Sequence, residues 1–312
     1  MRPSADILGG ERVLLACPDA AFRRRAAKFL REELALSVEV AEDGGTALEM
    51  IQNRSFRLLV ADTSLSGIPW FDLVQFLREL RPSTRYVLLT STPPEEHFRL
   101  ALEYDVGAIL PRVGTRPLRD LVETAESLLT ENVFGLERWL GASPEVHGRQ
   151  IGNASEIDQV VKDVSEWFPA GDARRAFRRA LAEMVVNAVF YGSLREDGSS
   201  KADWNLDAPL NRDQAVYVFF GRGDEASGCS VVDRGGRLTK AQILTWLETN
   251  RVQGAQGILS NDLNHGRGLH ITRRSLDRIV LNIRANDRTE AILLQETGAH
   301  RSPERPLLIH EF

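Results

Sequence analysis

The chain is short of several things whose absence narrows the field. It has two cysteines, Cys17 and Cys229, among 312 residues. They offer neither a metal-binding spacing nor a disulfide framework, so both read as buried thiols in a reducing compartment. No apolar run approaches the ~20 residues that cross a bilayer. The opening M-R-P-S-A-D-I-L-G-G-E-R lacks the apolar centre of a secretion signal, so a cytoplasmic location without membrane contact is expected. A basic surplus is missing too: the net charge of −5 gives no footprint for direct contact with nucleic acid. There is no internal repeat and no low-complexity tract.

What is present is a chain long enough for two cores, since single cores stop growing by roughly 250–300 residues. From residue 12 to 129, short apolar runs alternate with amphipathic stretches. The runs are 13–17, 38–41, 58–61, 86–90 and 108–111; the stretches are 20–34, 45–53, 70–80, 95–104 and 117–129. Fully apolar strands alternating with helices predict a doubly wound, parallel, five-stranded α/β domain over residues 1–130, its site at the carboxyl ends of the strands. Gly and Pro break the pattern over 131–150, which reads as a linker docking through Phe134 and Trp139. Helices are expected at 155–168 and 172–191, then paired strands at 215–220 with 229–232 and at 278–284 with 290–295. Over 151–298 this order predicts an α/β sandwich, leaving 299–312 as a C-terminal tail.

Three separated motifs in the second half carry chemistry. Glu183 and Asn187, in A-E-M-V-V-N-A, lie one turn apart on one helix face. Asp233, followed by Gly235 and Gly236 in V-V-D-R-G-G, ends a strand. Gly266, Arg267 and Gly268, in H-G-R-G-L-H, precede a helical stretch that begins at Leu269, and glycines at a helix start let backbone amides meet phosphate. In this order and spacing the motifs resemble the N, G1 and G2 boxes of the gyrase–histidine kinase ATPase superfamily. That resemblance spans 145–296 and implies a pocket for ATP with Mg²⁺. It makes Glu183 the general base, Asn187 the Mg²⁺ ligand and Asp233 the acceptor for the adenine amino group. Gly235, Gly236, Gly266, Arg267, Gly268 and Leu269 then line the nucleotide. Arg237 stands where the superfamily pattern has its second glycine. The stretch Leu238–His265, rich in Gly, Gln and Asn, would be the ATP lid.

The G-R-G-L wording resembles the anti-sigma-factor serine kinases in particular. A histidine autokinase needs two long helices with an exposed His, whereas His147 lies between Pro144 and Gly148. Residues 10–130 resemble a response-regulator receiver, which implies Asp62 as phosphoacceptor, with Thr90 ending the fourth strand and Arg112 in a position normally held by lysine. The acidic pair expected after strand one reads Cys17–Pro18, leaving Asp19 as a weak Mg²⁺ ligand. Together the resemblances imply a phosphorelay-type signalling protein, an atypical receiver controlling a serine/threonine kinase output. The alternatives are a non-catalytic, nucleotide-gated binding module or a simple ATPase. Expected partners are an anti-sigma antagonist, a sigma factor, a sensor kinase or a second copy forming a homodimer.

Overall fold

The computed structural model describes residues 5–114, 116–168, 170–192, 205–256, 269, 272–273, 276–297 and 305–312. Two compact units are present, Met1–Val133 with Ser302–Leu308, and Phe134–Arg301 with Ile309–Phe312.

The first unit opens on a one-turn helix, α1 (Ala5–Leu8), and then alternates strands with helices. These are β1 (Arg12–Ala16), α2 (Ala20–Leu34), β2 (Ser37–Ala41), α3 (Gly44–Asn53), β3 (Leu58–Asp62), α4 (Trp70–Leu80), β4 (Arg85–Thr90), α5 (Phe98–Glu103), β5 (Ala108–Pro111) and α6 (Pro117–Thr130). The sheet runs β2-β1-β3-β4-β5 with every neighbour parallel. Every residue of β3 is buried, as a central parallel strand covered on both faces requires. α2 begins where the Asp19 carboxylate accepts the amides of Ala21 and Phe22 at 3.0 and 2.9 Å, a side-chain cap. It then buries Phe22, Ala26, Ala27, Leu30 and Leu34 at helical spacing. The strand order reverses beside β1, so the carboxyl ends of β1 and β3 open onto a shared crevice.

The second unit carries β6 (Glu145–Ile151), α7 (Ile157–Glu166), α8 (Asp172–Asn187), β7 (Val216–Arg222), β8 (Ala226–Asp233), α9 (Lys240–Gln256), β9 (Arg278–Arg284) and β10 (Arg288–Glu296). Its sheet is antiparallel in the order β9-β10-β8-β7-β6. α7 buries Ile157, Val160, Val161 and Val164, the i, i+3, i+4, i+7 stripe of an amphipathic helix. Phe168, just beyond α7, stacks on Phe177 of α8 with ring centroids 3.5 Å apart, and both rings are fully buried. Burying a side chain of that size contributes roughly 1.5–3 kcal/mol, so this stack fixes the two helices to each other.

Three segments differ from the sequence reading. Residues 134–150, expected within a linker, belong to the second unit, and β6 pairs with β7 over seven residues. The interior Gly148 and the charges of E-V-H-G-R-Q-I hide its alternation, since glycine weakens a strand signal. Residues 307–311, expected within a tail, form β11 (Leu307–Glu311). Leu307 and Leu308 pair antiparallel with β5 in the first unit, and Phe312 exchanges backbone bonds with Ile283 and Ala285 in the second. The stretch Leu238–His265, expected as a Gly-, Gln- and Asn-rich lid, is helical from Lys240 to Gln256, burying Ile243, Leu244 and Leu247. Its remainder, 257–265, lies outside the described residues.

Candidate functional sites

The crevice of the first unit is built around Asp62, which ends β3 with no exposed surface. Its Oδ1 accepts the Ser64 amide at 2.9 Å and the Ser64 hydroxyl at 2.6 Å. Its Oδ2 faces Arg112 Nε at 2.6 Å and accepts the Cys17 thiol at 3.5 Å. Arg112 follows β5, and its Nη1 donates to Asp19 Oδ2 at 3.1 Å. One guanidinium therefore bridges the two carboxylates. The Phe22 amide first, with the Ala21 amide and Arg112, holds the Asp19 carboxyl below the usual carboxylate range. Burial, reinforced by the charge of Asp62, pushes the Cys17 thiol up to about 12.

That donor set does not suit Mg²⁺, which requires oxygens in near-octahedral geometry. Cys17 offers a protonated sulfur, Pro18 offers no side-chain donor, and Arg112 already neutralises both carboxylates. Among the described residues, no group of three or more His, Cys, Asp and Glu converges as a cation site. Thr90, fully buried at the end of β4, bonds His97 Nε2 at 2.9 Å, and Thr92 bonds the same nitrogen at 3.0 Å. Burial lowers the pKa of His97, so at neutral pH an uncharged imidazole ties the β4 end to the following turn. Ser64 and His97 were not singled out by the sequence, because single hydroxyls and imidazoles in loops carry no spacing signal.

In the second unit Asp233 ends β8, 6% exposed. Its Oδ1 accepts the amides of Gly235 and Gly236 at 2.9 and 3.3 Å. Burial raises its pKa to about 6, against the opposing pull of the Gly235, Gly236 and Thr289 amides. α8 runs on through one π-helical segment, Ala188–Gly192, a local widening often found at functional positions. Gly192 lies directly on Asp233. A Cβ there would stand 2.4 Å from Oδ2, and a Cβ on Gly235 would stand 1.8 Å from the Gly192 carbonyl oxygen. The missing side chains let backbone pack directly against a buried carboxyl, at the end of the segment that carries Glu183 and Asn187.

Glu183 and Asn187 share the exposed face of α8. Leu269 is buried at 7% exposure, as is Arg273 at 6%. Gly266, Arg267 and Gly268 lie outside the described residues. Gly192 and Thr289 escaped the sequence reading, although the F-Y-G following Asn187 held the signal for Gly192. A cavity of about 490 Å³, lined by Phe134, Tyr217, Val232, Arg234, Arg288 and Glu290 among others, opens on the other sheet face. Val232 and Asp233 are consecutive in one strand and so point to opposite faces.

Residues 13–116 match the model of the response regulator receiver domain family. Similar solved structures include a CheY-like response regulator receiver domain protein from Methanospirillum hungatei JF-1. It is 25% identical with a TM-score of 0.36, over 39% of this chain and 96% of that one. The chemotaxis response regulator CheY4 of Vibrio cholerae is 23% identical with a TM-score of 0.35, over 38% and 99% respectively. The isolated REC domain of RcsB from Salmonella enterica serovar Typhimurium is 18% identical with a TM-score of 0.36, over 40% and 93%. No curated protein matches the chain. No helix among the described residues is long and apolar enough to cross a membrane.

Proposed function

We propose that the chain, whose residues 13–116 form a response regulator receiver domain, places an ATP-binding serine/threonine kinase output under the control of that receiver. Receiver domains work through protein partners and phosphorelay signalling, and the proposal concerns what the second unit adds. The observation that supports it is the Asp233 niche. A buried carboxyl, cradled by Gly235 and Gly236 and bordered by Gly192, adjoins the α8 segment bearing Glu183 and Asn187. Asp233 suits an exocyclic amino group, and Gly192 and Gly235, lacking side chains, let backbone close around that carboxyl. Asn187 would hold Mg²⁺ through its carbonyl oxygen, and Glu183 would take the proton of an attacking hydroxyl. When bound, ATP supplies the γ-phosphoryl group to be transferred.

In the first unit, the Arg112 bridge between Asp62 and Asp19 favours regulation by contact over phosphotransfer at Asp62. The partners this reading implies are an anti-sigma antagonist, a sigma factor or a sensor kinase. A second reading, a nucleotide-gated binding module, draws on Glu183: it is exposed and makes no hydrogen bond or ion pair among the described residues, whereas a working base is usually oriented by a third group. Incubation of the full chain with Mg-[γ-³²P]ATP and candidate partners separates the readings. Label on a partner supports the kinase, released phosphate a plain ATPase, and retained intact ATP the binding module. If no nucleotide is retained and no label moves, the proposal fails.

A further inference from the structure

β6 is the outermost strand of the second unit, paired with β7 alone. None of its residues carries a hydrogen bond on its outer side among the described residues. A bare row of amides and carbonyls recruits another strand unless something blocks it. Proline, lysine and bulges, the usual blocking devices, are all missing from E-V-H-G-R-Q-I. The charges it does carry sit at opposite sign on either side of one residue: Glu145 two before His147 and Arg149 two after. Side chains two apart share a sheet face, so all three lie together.

We propose that β6 pairs with β6 of a second copy of this chain, antiparallel and about a two-fold axis through His147. In that register Glu145 faces Arg149 of the other copy, twice by symmetry, and His147 faces its own equivalent. A strand of arbitrary sequence does not meet both charges, whereas a second copy does. The surroundings fit an interface. Glu145 lies opposite Arg222 of β7, its Oε2 3.8 Å from Arg222 Nε, so pairing extends an alternating row of charge across both sheets. Trp167, 37% exposed, lies 4.3 Å from the His147 ring and 5.3 Å from Phe220 by ring centroids. It supplies apolar area beside the axis. The inference stands independently of the nucleotide reading.

Charge reversal tests both the partner and the register. In sedimentation equilibrium the full chain dimerises. Glu145→Arg sets two arginines against each other at each pair and weakens self-association by roughly tenfold or more, as does Arg149→Glu with two glutamates. An equimolar mixture of the two variants recovers dimer, because Glu145→Arg in one copy meets Arg149→Glu in the other. This recovery also shows that both variants are folded. As a check on register, His147→Cys forms an intermolecular disulfide on oxidation while Val146→Cys does not; Cys17 and Cys229 are buried and do not compete. A monomeric wild-type chain, a dimer indifferent to both reversals, or a mixture no stronger than its components would each overturn the proposal. Binding of a foreign peptide along β6 with no self-association would do so as well.

Discussion

Arg112 Nε stands 2.6 Å from Asp62 Oδ2, so the guanidinium rests on the carboxylate that a receiver would phosphorylate. Asp62 has no exposed surface, and a buried charge stripped of its partner is costly. Arg112→Ala is therefore expected to destabilise the first unit by roughly 3–5 kcal/mol. Pairing Arg112→Met with Asp62→Leu should recover most of that loss, since it removes the stranded charge. Urea denaturation of the three proteins checks this. A double variant as unstable as the single one would show that the pair acts through something other than mutual neutralisation.

The same bridge predicts poor phosphoryl acceptance. Acetyl [³²P]phosphate with Mg²⁺ is expected to label the wild-type chain weakly. Cys17→Asp with Pro18→Asp adds oxygen ligands beside Asp62 and should raise the label severalfold. Asp62→Asn on that background should abolish it. Stoichiometric labelling of the unaltered chain at Asp62 would contradict the contact-driven reading.

In the proposed nucleotide site Asp233 and Gly192 pack on each other, so their variants should fail alike. Asp233→Ala is expected to remove ATP binding by calorimetry with the fold intact. Gly192→Ala drives a methyl into the Asp233 carboxyl and is expected to cost about 1–3 kcal/mol of stability together with the binding. Glu183→Ala should keep ATP affinity and lower turnover by ~10²–10⁴-fold. Unchanged affinity in both niche variants would remove Asp233 from the site.

Two buried groups in the second unit respond to acid in opposite directions. The Asp233 pKa is raised to about 6, so the folded state holds its proton more tightly than the unfolded state. Its contribution is complete below the ordinary carboxylate value of 3.8 and is lost as pH rises through about 6. His310, fully buried beside Asn282, is lowered from 6.5 to about 3 by burial. Its contribution holds above 6.5 and is lost as pH falls toward 3. Across pH 4–6 the two offset each other, each worth up to about 1.4 kcal/mol per pH unit. Asp233→Asn should steepen the acid loss of stability, and His310→Gln should flatten it. Parallel pH–stability curves for the wild type and both variants would refute the assignment.

The first unit was almost wholly legible because its strands are continuous apolar runs. L-L-V-A-D at 58–62 cannot be anything but buried, and the helices between the runs keep period. In the second unit α8, β9 and β10 announced themselves by the same means. β6 did not, since its pairing is written in its contact with β7 and not in its own alternation. The Asp62 site was legible as to residue types, but the Arg112 bridge was not: it joins positions 93 and 50 residues apart, a relation only the fold creates. Gly192 belongs with it. Its lack of a side chain lets backbone lie against Asp233, where a Cβ would collide, a relation no local pattern encodes.

β11 has a consequence for any attempt to dissect the chain. Leu307 and Leu308 complete the margin of β5, and the residues that follow run beside β9. Without this strand both margins stay unfinished. A receiver fragment ending near residue 130 inherits one of them permanently, and an output fragment ending near 298 inherits the other. Either fragment has a reason to aggregate that the intact protein lacks, and re-supplying 305–312 as a peptide should relieve it.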